Sequence, residues 1–317
     1  MLWGETASSV CAENDMFPIG RILPLVMAVM VVAGCERRAD RARLELAQLG
    51  IPYTGSSFIA TARNGNVGGV DLFLDAGMST EVKTEEGQTP LMAATLANQI
   101  EVVKKLLDRG ASVNARDKFK GTALMTAAWK GYDEIIESLL VHGADVNAQS
   151  ANGMSALMFA VWENHPEAAR ALIRKGADIE ARDGNQWTSL IRAAFKGHLD
   201  SVALLLESGA DANSRTEAGD SALIQAAEQG HSEIVKTLVN NGAEINASDR
   251  EGRTALISAA QEGRAETVRI LLDQGADADA MSKAGKTALQ VAEAAKKAET
   301  VQLLKTAKKA RETTLTR

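Results

Sequence analysis

The stretch Gly143-Ala-Asp-Val-Asn-Ala148 decides the reading of this chain, because it returns along the sequence at a fixed distance. Gly110-Ala-Ser-Val-Asn-Ala115 precedes it and Gly242-Ala-Glu-Ile-Asn-Ala247 follows it. Gly77, Gly110, Gly143, Gly176, Gly209, Gly242 and Gly275 stand 33 residues apart. A second phrase keeps the same register: Thr89-Pro-Leu-Met-Ala-Ala94, Thr122-Ala-Leu-Met-Thr-Ala127 and Thr254-Ala-Leu-Ile-Ser-Ala259.

One unit, Asp117 to Gln149, shows what each copy encodes. Thr122 can cap a short helix through Leu124, Ala127 and Ala128, whose small alanines let a neighbouring helix approach closely. Gly131 ends that helix, since glycine takes positive φ without a Cβ penalty. Asp133 and Glu134 open a second helix at its positive end, and Ile135, Ile136, Leu139 and Leu140 form one apolar stripe. Gly143 terminates it before a turn. Such a unit cannot bury its apolar face alone, whereas stacked units bury a continuous core through neighbour contacts.

A 33-residue period built on these two phrases resembles the ankyrin repeat. The resemblance implies an all-α solenoid of paired antiparallel helices joined by β-turn finger loops. It covers residues 51–310, about eight units. Complete units start at Thr84, Asp117, Ser150, Asp183, Thr216 and Asp249, and a degenerate one spans Pro52 to Lys83. The last, from Met281, loses the mid-unit glycine and turns Lys/Ala-rich, as a polar solenoid cap requires. A helix over Ala39 to Leu49 is expected to dock on the first unit. The family's histidine after Thr-Pro-Leu is replaced by Met92, Met125, Met158, Ile191, Ile224 and Ile257, so apolar packing must substitute for its hydrogen bond.

At the front, Arg21 precedes the apolar run Ile22 to Val32, a length that suits a signal-peptide core and is short for a bilayer span. Val32-Ala33-Gly34-Cys35 resembles a bacterial lipobox, which implies cleavage before Cys35 and lipid on its thiol. A plain signal anchor with an accidental cysteine is the alternative. The expected organisation is a signal peptide over 1–34, with 1–15 a mis-assigned start if Met16 is the true one. A lipidated tether and capping helix follow over 35–50, then the array over 51–310 and a basic tail over 311–317. The protein is then periplasmic and monomeric, tied to the membrane through Cys35. Glu36 in place of aspartate favours the outer membrane over the inner.

The chain has 317 residues, a net charge of −6 and 24% charged residues, an ordinary globular composition rather than a disordered or nucleic-acid-binding one. Length alone suggests two domains, but a solenoid overrides that expectation. There is no Gly-rich phosphate loop, His-Glu-x-x-His, Cys-x-x-Cys or Gly-x-Ser-x-Gly. His198 and His231 share one repeat position a whole unit apart, too far to share a metal ion, and a structural role is expected. Asp145, Asp178, Asp211 and Asp277 all follow Gly-Ala and belong to the turn. No catalytic residue, metal site or cofactor is expected.

Function in an array lives where the units differ. The seventh residue after the capping Thr or Ser reads Leu96, Trp129, Trp162, Phe195, Glu228 and Gln261. Aromatics are only 4% of the chain, yet three consecutive units carry one there, at a position that in ankyrin proteins lines the concave face. Phe119 and Trp187 join from the fingers, and Lys130, Glu163 and Lys196 supply a polar rim. Arg116, Asp117, Lys118, Arg182, Asp183 and Asn185 add finger charge and polarity that set orientation. The competing reading packs these aromatics between units, and Phe159 is placed at a more buried register. The expected function is a lipid-anchored periplasmic scaffold binding a protein on its concave face. It would act as an inhibitor or immunity protein, or as support factor for an enzyme such as catalase. The alternative is a peptidoglycan- or glycan-binding module using the aromatic stripe.

Overall fold

A computed structural model describes residues 37–315, with side chains to residue 309. Cys35, Glu36 and the expected signal segment lie outside the described residues, as do the side chains of the basic tail. Helix α1 (37–48) is followed by eight helix pairs. The first helices are α2 (Gly55–Arg63), α4 (Pro90–Leu96), α6 (Ala123–Lys130), α8 (Ala156–Trp162), α10 (Ser189–Lys196), α12 (Ala222–Gln229), α14 (Ala255–Glu262) and α16 (Ala288–Ala294). The second helices are α3 (Val67–Asp75), α5 (Ile100–Asp108), α7 (Asp133–Val141), α9 (Pro166–Arg174), α11 (Leu199–Glu207), α13 (Ser232–Asn240), α15 (Ala265–Asp273) and α17 (Ala298–Leu315). First helices stack on first helices and second on second, which makes a solenoid of two helical layers.

Each first helix starts on a hydroxyl. Thr122, Ser155, Thr188, Ser221 and Thr254 accept from the backbone N–H three residues on, each bond contributing about 1 kcal/mol. The second helices α5, α7, α9, α11, α13 and α15 lack that local cap. Three of their N-cap side chains reach the preceding unit instead: His198 Nε2 lies 3.0 Å from the Trp162 carbonyl, His231 Nε2 3.2 Å from that of Phe195, and Arg264 Nε 3.0 Å from that of Glu228. Acidic residues such as Glu101, Asp133, Glu233 and Glu266 sit in their first turns and offset the exposed N–H dipoles.

The alanines of the first helices α4, α6, α8, α10, α12 and α14 are fully buried between neighbours, as are the stripes Val102–Leu106, Ile135–Leu139 and Ile234–Leu238 of the second. Met92, Met125, Met158, Ile191, Ile224 and Ile257 are buried with them, so packing does replace the family's histidine. Asn114 explains the repeated Val-Asn phrase: its amide donates to the Gly143 carbonyl at 3.1 Å and accepts from Asp145 N at 2.8 Å. Asn147 and Asn213 repeat that bridge one and three units on. Asp145, Asp178, Asp211 and Asp277 each accept a backbone N–H two residues on, inside the turn.

At the N-terminal end, Ala42 and Leu46 of α1 join the core with Phe58 and Phe73. Arg38 pairs with Asp75 and Arg43 donates to the Ala76 carbonyl, which fixes α1 on the first unit. No described helix is long and apolar enough to cross a membrane.

Candidate partner-binding surface

The fingers are knit edge to edge. Lys118 N donates to Glu86 O, Ala151 N to Phe119 O, Gly184 N to Asn152 O, Arg250 N to Ala218 O and Lys283 N to Glu251 O, all at 2.8–2.9 Å. Five finger turns place a glycine at their left-handed position: Gly87, Gly153, Gly219, Gly252 and Gly285. The third and fifth use Lys120 (φ 57°) and Gln186 (φ 62°), at about 1–2 kcal/mol of backbone strain each. These are the two fingers that carry Phe119 and Trp187.

Phe119 is 69% exposed and Trp129 40% exposed. Together with Gly121, Met125, Asn152 and Phe159 they line an open apolar pocket of about 410 Å³ between the third and fourth units. Lys130 Nζ lies 3.9 Å from the Trp129 ring centroid, a favourable cation–π distance. Phe159 is half-buried: it packs against the core, as its register suggested, and also lines this pocket. Glycine at 121 and Thr126 on α6 are too small to cover it.

The next junction is filled. Trp162 stacks on Phe195 with centroids 6.3 Å apart and planes 13° apart, and Trp187 meets Phe195 edge-on at 5.4 Å. The Arg192 guanidinium lies 5.1 Å from the Trp162 centroid and 5.8 Å from that of Trp187, and Lys196 Nζ sits 4.5 Å over Trp162. Arg192 pairs with Asp183, whose side chain is 1% exposed. Asp183 also accepts from Asn185 N at 2.7 Å and Trp187 N at 3.0 Å. Asp183 is thus a buried turn cap and counter-ion, which corrects its expected place among surface partner contacts. A carboxylate this deep is tolerated because three donors surround it.

Arg192 is the residue the sequence reading missed. At the fourth position after the capping hydroxyl the units read Ala93, Thr126, Phe159, Arg192, Gln225 and Ser258, and a single arginine in that row was the available signal.

The other expected residues divide by environment. Asp117 accepts from Phe119 N and Gly121 N and shapes the third finger. Arg116 donates to the Gln149 carbonyl and Arg182 to that of Arg215, so both guanidiniums stitch neighbouring units. Leu96, Lys118, Glu163, Lys196 and Asn185 are exposed. At the aromatic register the sixth unit carries Glu228, half-buried, where burial pushes its carboxyl up, reinforced by Glu262, Asp220 and Asp249 and opposed by Arg253. Arg253 Nε pairs with Asp249 at 2.7 Å. Among the described residues no group of His, Cys, Asp and Glu is placed to hold a metal ion.

A family model described as ankyrin repeats (3 copies) matches residues 53–117 and, in overlapping stretches, 124–314. An ankyrin repeat-containing protein of Treponema pallidum (strain Nichols) is 38% identical over 71 residues, covering 22% of this chain and 24% of that protein, so the match spans about a quarter of that relative's length. The crystal structure of the ankyrin repeat domain of Bcl-3, described as a unique member of the IkappaB protein family, superposes with a TM-score of 0.62 at 30% identity, covering 70% of this chain and all of that domain. With the family model spanning most of the chain and the helix pairs in its register, this chain belongs to the ankyrin-repeat family, whose members typically serve as non-enzymatic protein-interaction scaffolds.

Proposed function

We propose that this chain is a lipid-anchored periplasmic scaffold that binds one partner protein across the first helices and fingers of its third to fifth units, without covalent chemistry. The observation that carries the binding face is the exposure of Phe119 and Trp129 beside the Trp162–Phe195–Trp187 cluster, in a chain with few aromatics. Exposed contiguous aromatic surface marks interaction sites, and tryptophan is a preferred interface anchor. The anchor rests on the lipobox-like Val32-Ala33-Gly34-Cys35. An inhibitor or immunity protein, and a support factor for a periplasmic enzyme such as catalase, are two forms of this reading.

Affinity capture with the full chain from a periplasmic extract tests the binding face. One dominant protein that is retained by the parent chain and lost with Trp129→Ala supports it. Adding the parent chain to that protein then separates the two forms: its activity falls for an inhibitor and is sustained for a support factor. Retention of glycan with no protein overturns the reading in favour of a sugar-binding module. For the anchor, labelled palmitate should enter the parent chain and not Cys35→Ser; equal labelling of both removes lipidation at Cys35.

A further inference from the structure

The pocket between the third and fourth units is open and apolar, and two of its wall residues, Phe119 and Trp129, have lysines beside them. Phe119, Met125, Trp129 and Phe159 supply its apolar wall, and its volume is about 410 Å³. At the following junction the position of Phe159 is taken by Arg192, whose guanidinium occupies the space against Trp162 and Trp187. The chain therefore fills one such space with its own side chain and leaves its neighbour vacant.

The surroundings of the open pocket have a definite charge. Lys118 and Lys120 flank Phe119, and Lys130 lies over Trp129. Among the described residues Lys120 and Lys130 make no ion pair. Asp117, the nearest acid in sequence, is held by two backbone N–H groups of its own turn. Glu86 lies near Lys118, and Glu163 is exposed. A chain of net charge −6 thus presents a locally cationic rim around its most exposed aromatic wall.

We infer that this pocket seats one large apolar side chain, phenylalanine or leucine in size, from an acidic segment of the partner, whose carboxylates lie against Lys118, Lys120 and Lys130. The inference rests on the scaffold reading above. An apolar anchor buried in a preformed pocket supplies affinity, and the rim of opposite charge selects the segment and speeds encounter.

The test uses a fluorescent heptapeptide with one phenylalanine between three glutamates on each side, titrated by anisotropy into the full chain. The peptide should bind. Replacing its phenylalanine by alanine, or Trp129 or Phe119 of the protein by alanine or serine respectively, should weaken it at least tenfold. Lys120→Glu with Lys130→Glu should also weaken it, and raised salt should do the same. Gln261→Ala, at the same register four units on, should leave it unchanged. Circular dichroism melting checks that each variant folds. Binding that ignores the phenylalanine or Trp129, or a lysine-flanked peptide that binds as well, overturns the inference. Partner capture that survives Phe119→Ser and Trp129→Ala together with such peptide results removes the pocket and leaves the scaffold. Capture of no protein strikes the scaffold reading, while phenylalanine-dependent peptide binding in that case keeps the pocket.

Discussion

Two grooves in this molecule share a repeat framework and differ in the side chains that line it. The one between the third and fourth units, about 410 Å³, is walled by Phe119, Met125, Trp129 and Phe159. The one between the seventh and eighth, about 480 Å³, is walled at the same register by Glu251, Ile257, Gln261 and Val291, with Arg253 where the other has Gly121. Helix pairs and fingers make the hollow at both places. Side chains alone decide that one is walled by aromatics and the other by aliphatic side chains with Glu251, Arg253 and Lys286 among them. The repeat therefore fixes where a partner's surface is offered, and departures from the repeat fix what it accepts.

The largest expected effect tests what happens when the groove is filled from within. Arg192 closes the junction after the apolar pocket and is the partner of a carboxylate that is 1% exposed. Arg192→Ala should destabilise the chain by about 3 kcal/mol or more, because it leaves the buried Asp183 carboxylate without its counter-ion. Arg192→Ala with Asp183→Asn should recover part of that loss, since the amide oxygen still accepts from Asn185 N and Trp187 N. Denaturant midpoints at constant m report both; a loss below about 0.5 kcal/mol for the single variant would show the pair to be incidental.

Much of this architecture is legible in the sequence, and the limits of that legibility are physical. The period, the hydroxyl caps and the turn aspartates follow from local backbone needs that each unit states for itself. Packing of Met92 and Ile191 in place of histidine also follows, since both types prefer burial. The site was half legible. Trp129 and Phe119 stand out as aromatics in an aromatic-poor chain. Phe159 did not, because its exposure depends on how little Gly121 and Thr126 of the preceding unit cover it. Asp183 was expected at the surface because a charged finger residue usually is. Its burial follows from the turn, in which Asp117, Asp183 and Asp249 each accept the backbone N–H four residues on.

The second prediction separates the two grooves by affinity. Trp129→Ala should weaken the partner by about 2 kcal/mol, roughly thirtyfold, with little change in melting temperature. Gln261→Ala, its counterpart in the groove between the seventh and eighth units, should change affinity by less than about 0.5 kcal/mol. Trp162→Ala should do something different from either. Its ring meets Phe195, Arg192 and Lys196, so stability should fall by about 1–2 kcal/mol along with affinity. Equal affinity loss at Trp129 and Gln261 would erase the distinction between the grooves.

A third comparison concerns the fingers beside each groove. Lys120 holds φ 57° where the seventh finger has Gly252 at φ 74°. Lys120→Gly relieves about 1–2 kcal/mol of backbone strain, while glycine's extra freedom in the unfolded chain returns about 0.5–1 kcal/mol. The net should be a gain of about 0.5 kcal/mol. In Gly252→Lys the balance reverses, and the new Cβ would stand 2.9 Å from the Lys283 nitrogen. That variant should lose more than about 1 kcal/mol. Thermal melts of the pair, moving in opposite directions, would show that the third finger carries strain that the seventh avoids.

The smallest expected effect is a pH dependence confined to the aromatic half. His198 bonds to the carbonyl of Trp162, whereas Arg264 makes the corresponding bond to Glu228. Burial pushes the His198 ring below its usual 6.5, against the carbonyl bond that would raise it; Lys196 and His231 add to the lowering, and Glu163 opposes it. The folded chain thus prefers the neutral ring, and the unfolded chain takes up the proton first. The stability this contributes is present above pH 6.5 and is lost as pH falls from there towards the folded value. Gln at 198 still donates to the carbonyl but does not titrate. Between pH 7.5 and 5.5 the parent chain should therefore lose about a degree of Tm relative to His198→Gln. The Tm difference between the parent and Arg264→Gln should stay flat over the same range, because guanidinium does not titrate there. Glu228 and Asp133, both raised chiefly by burial, act lower, in the carboxylate range, and with the opposite sign, and the same-pH comparison cancels them. Parallel curves for the parent and His198→Gln would show that the ring is as easily protonated in the folded chain as in the unfolded one, and that the two halves of the solenoid differ in their ligand-facing side chains alone.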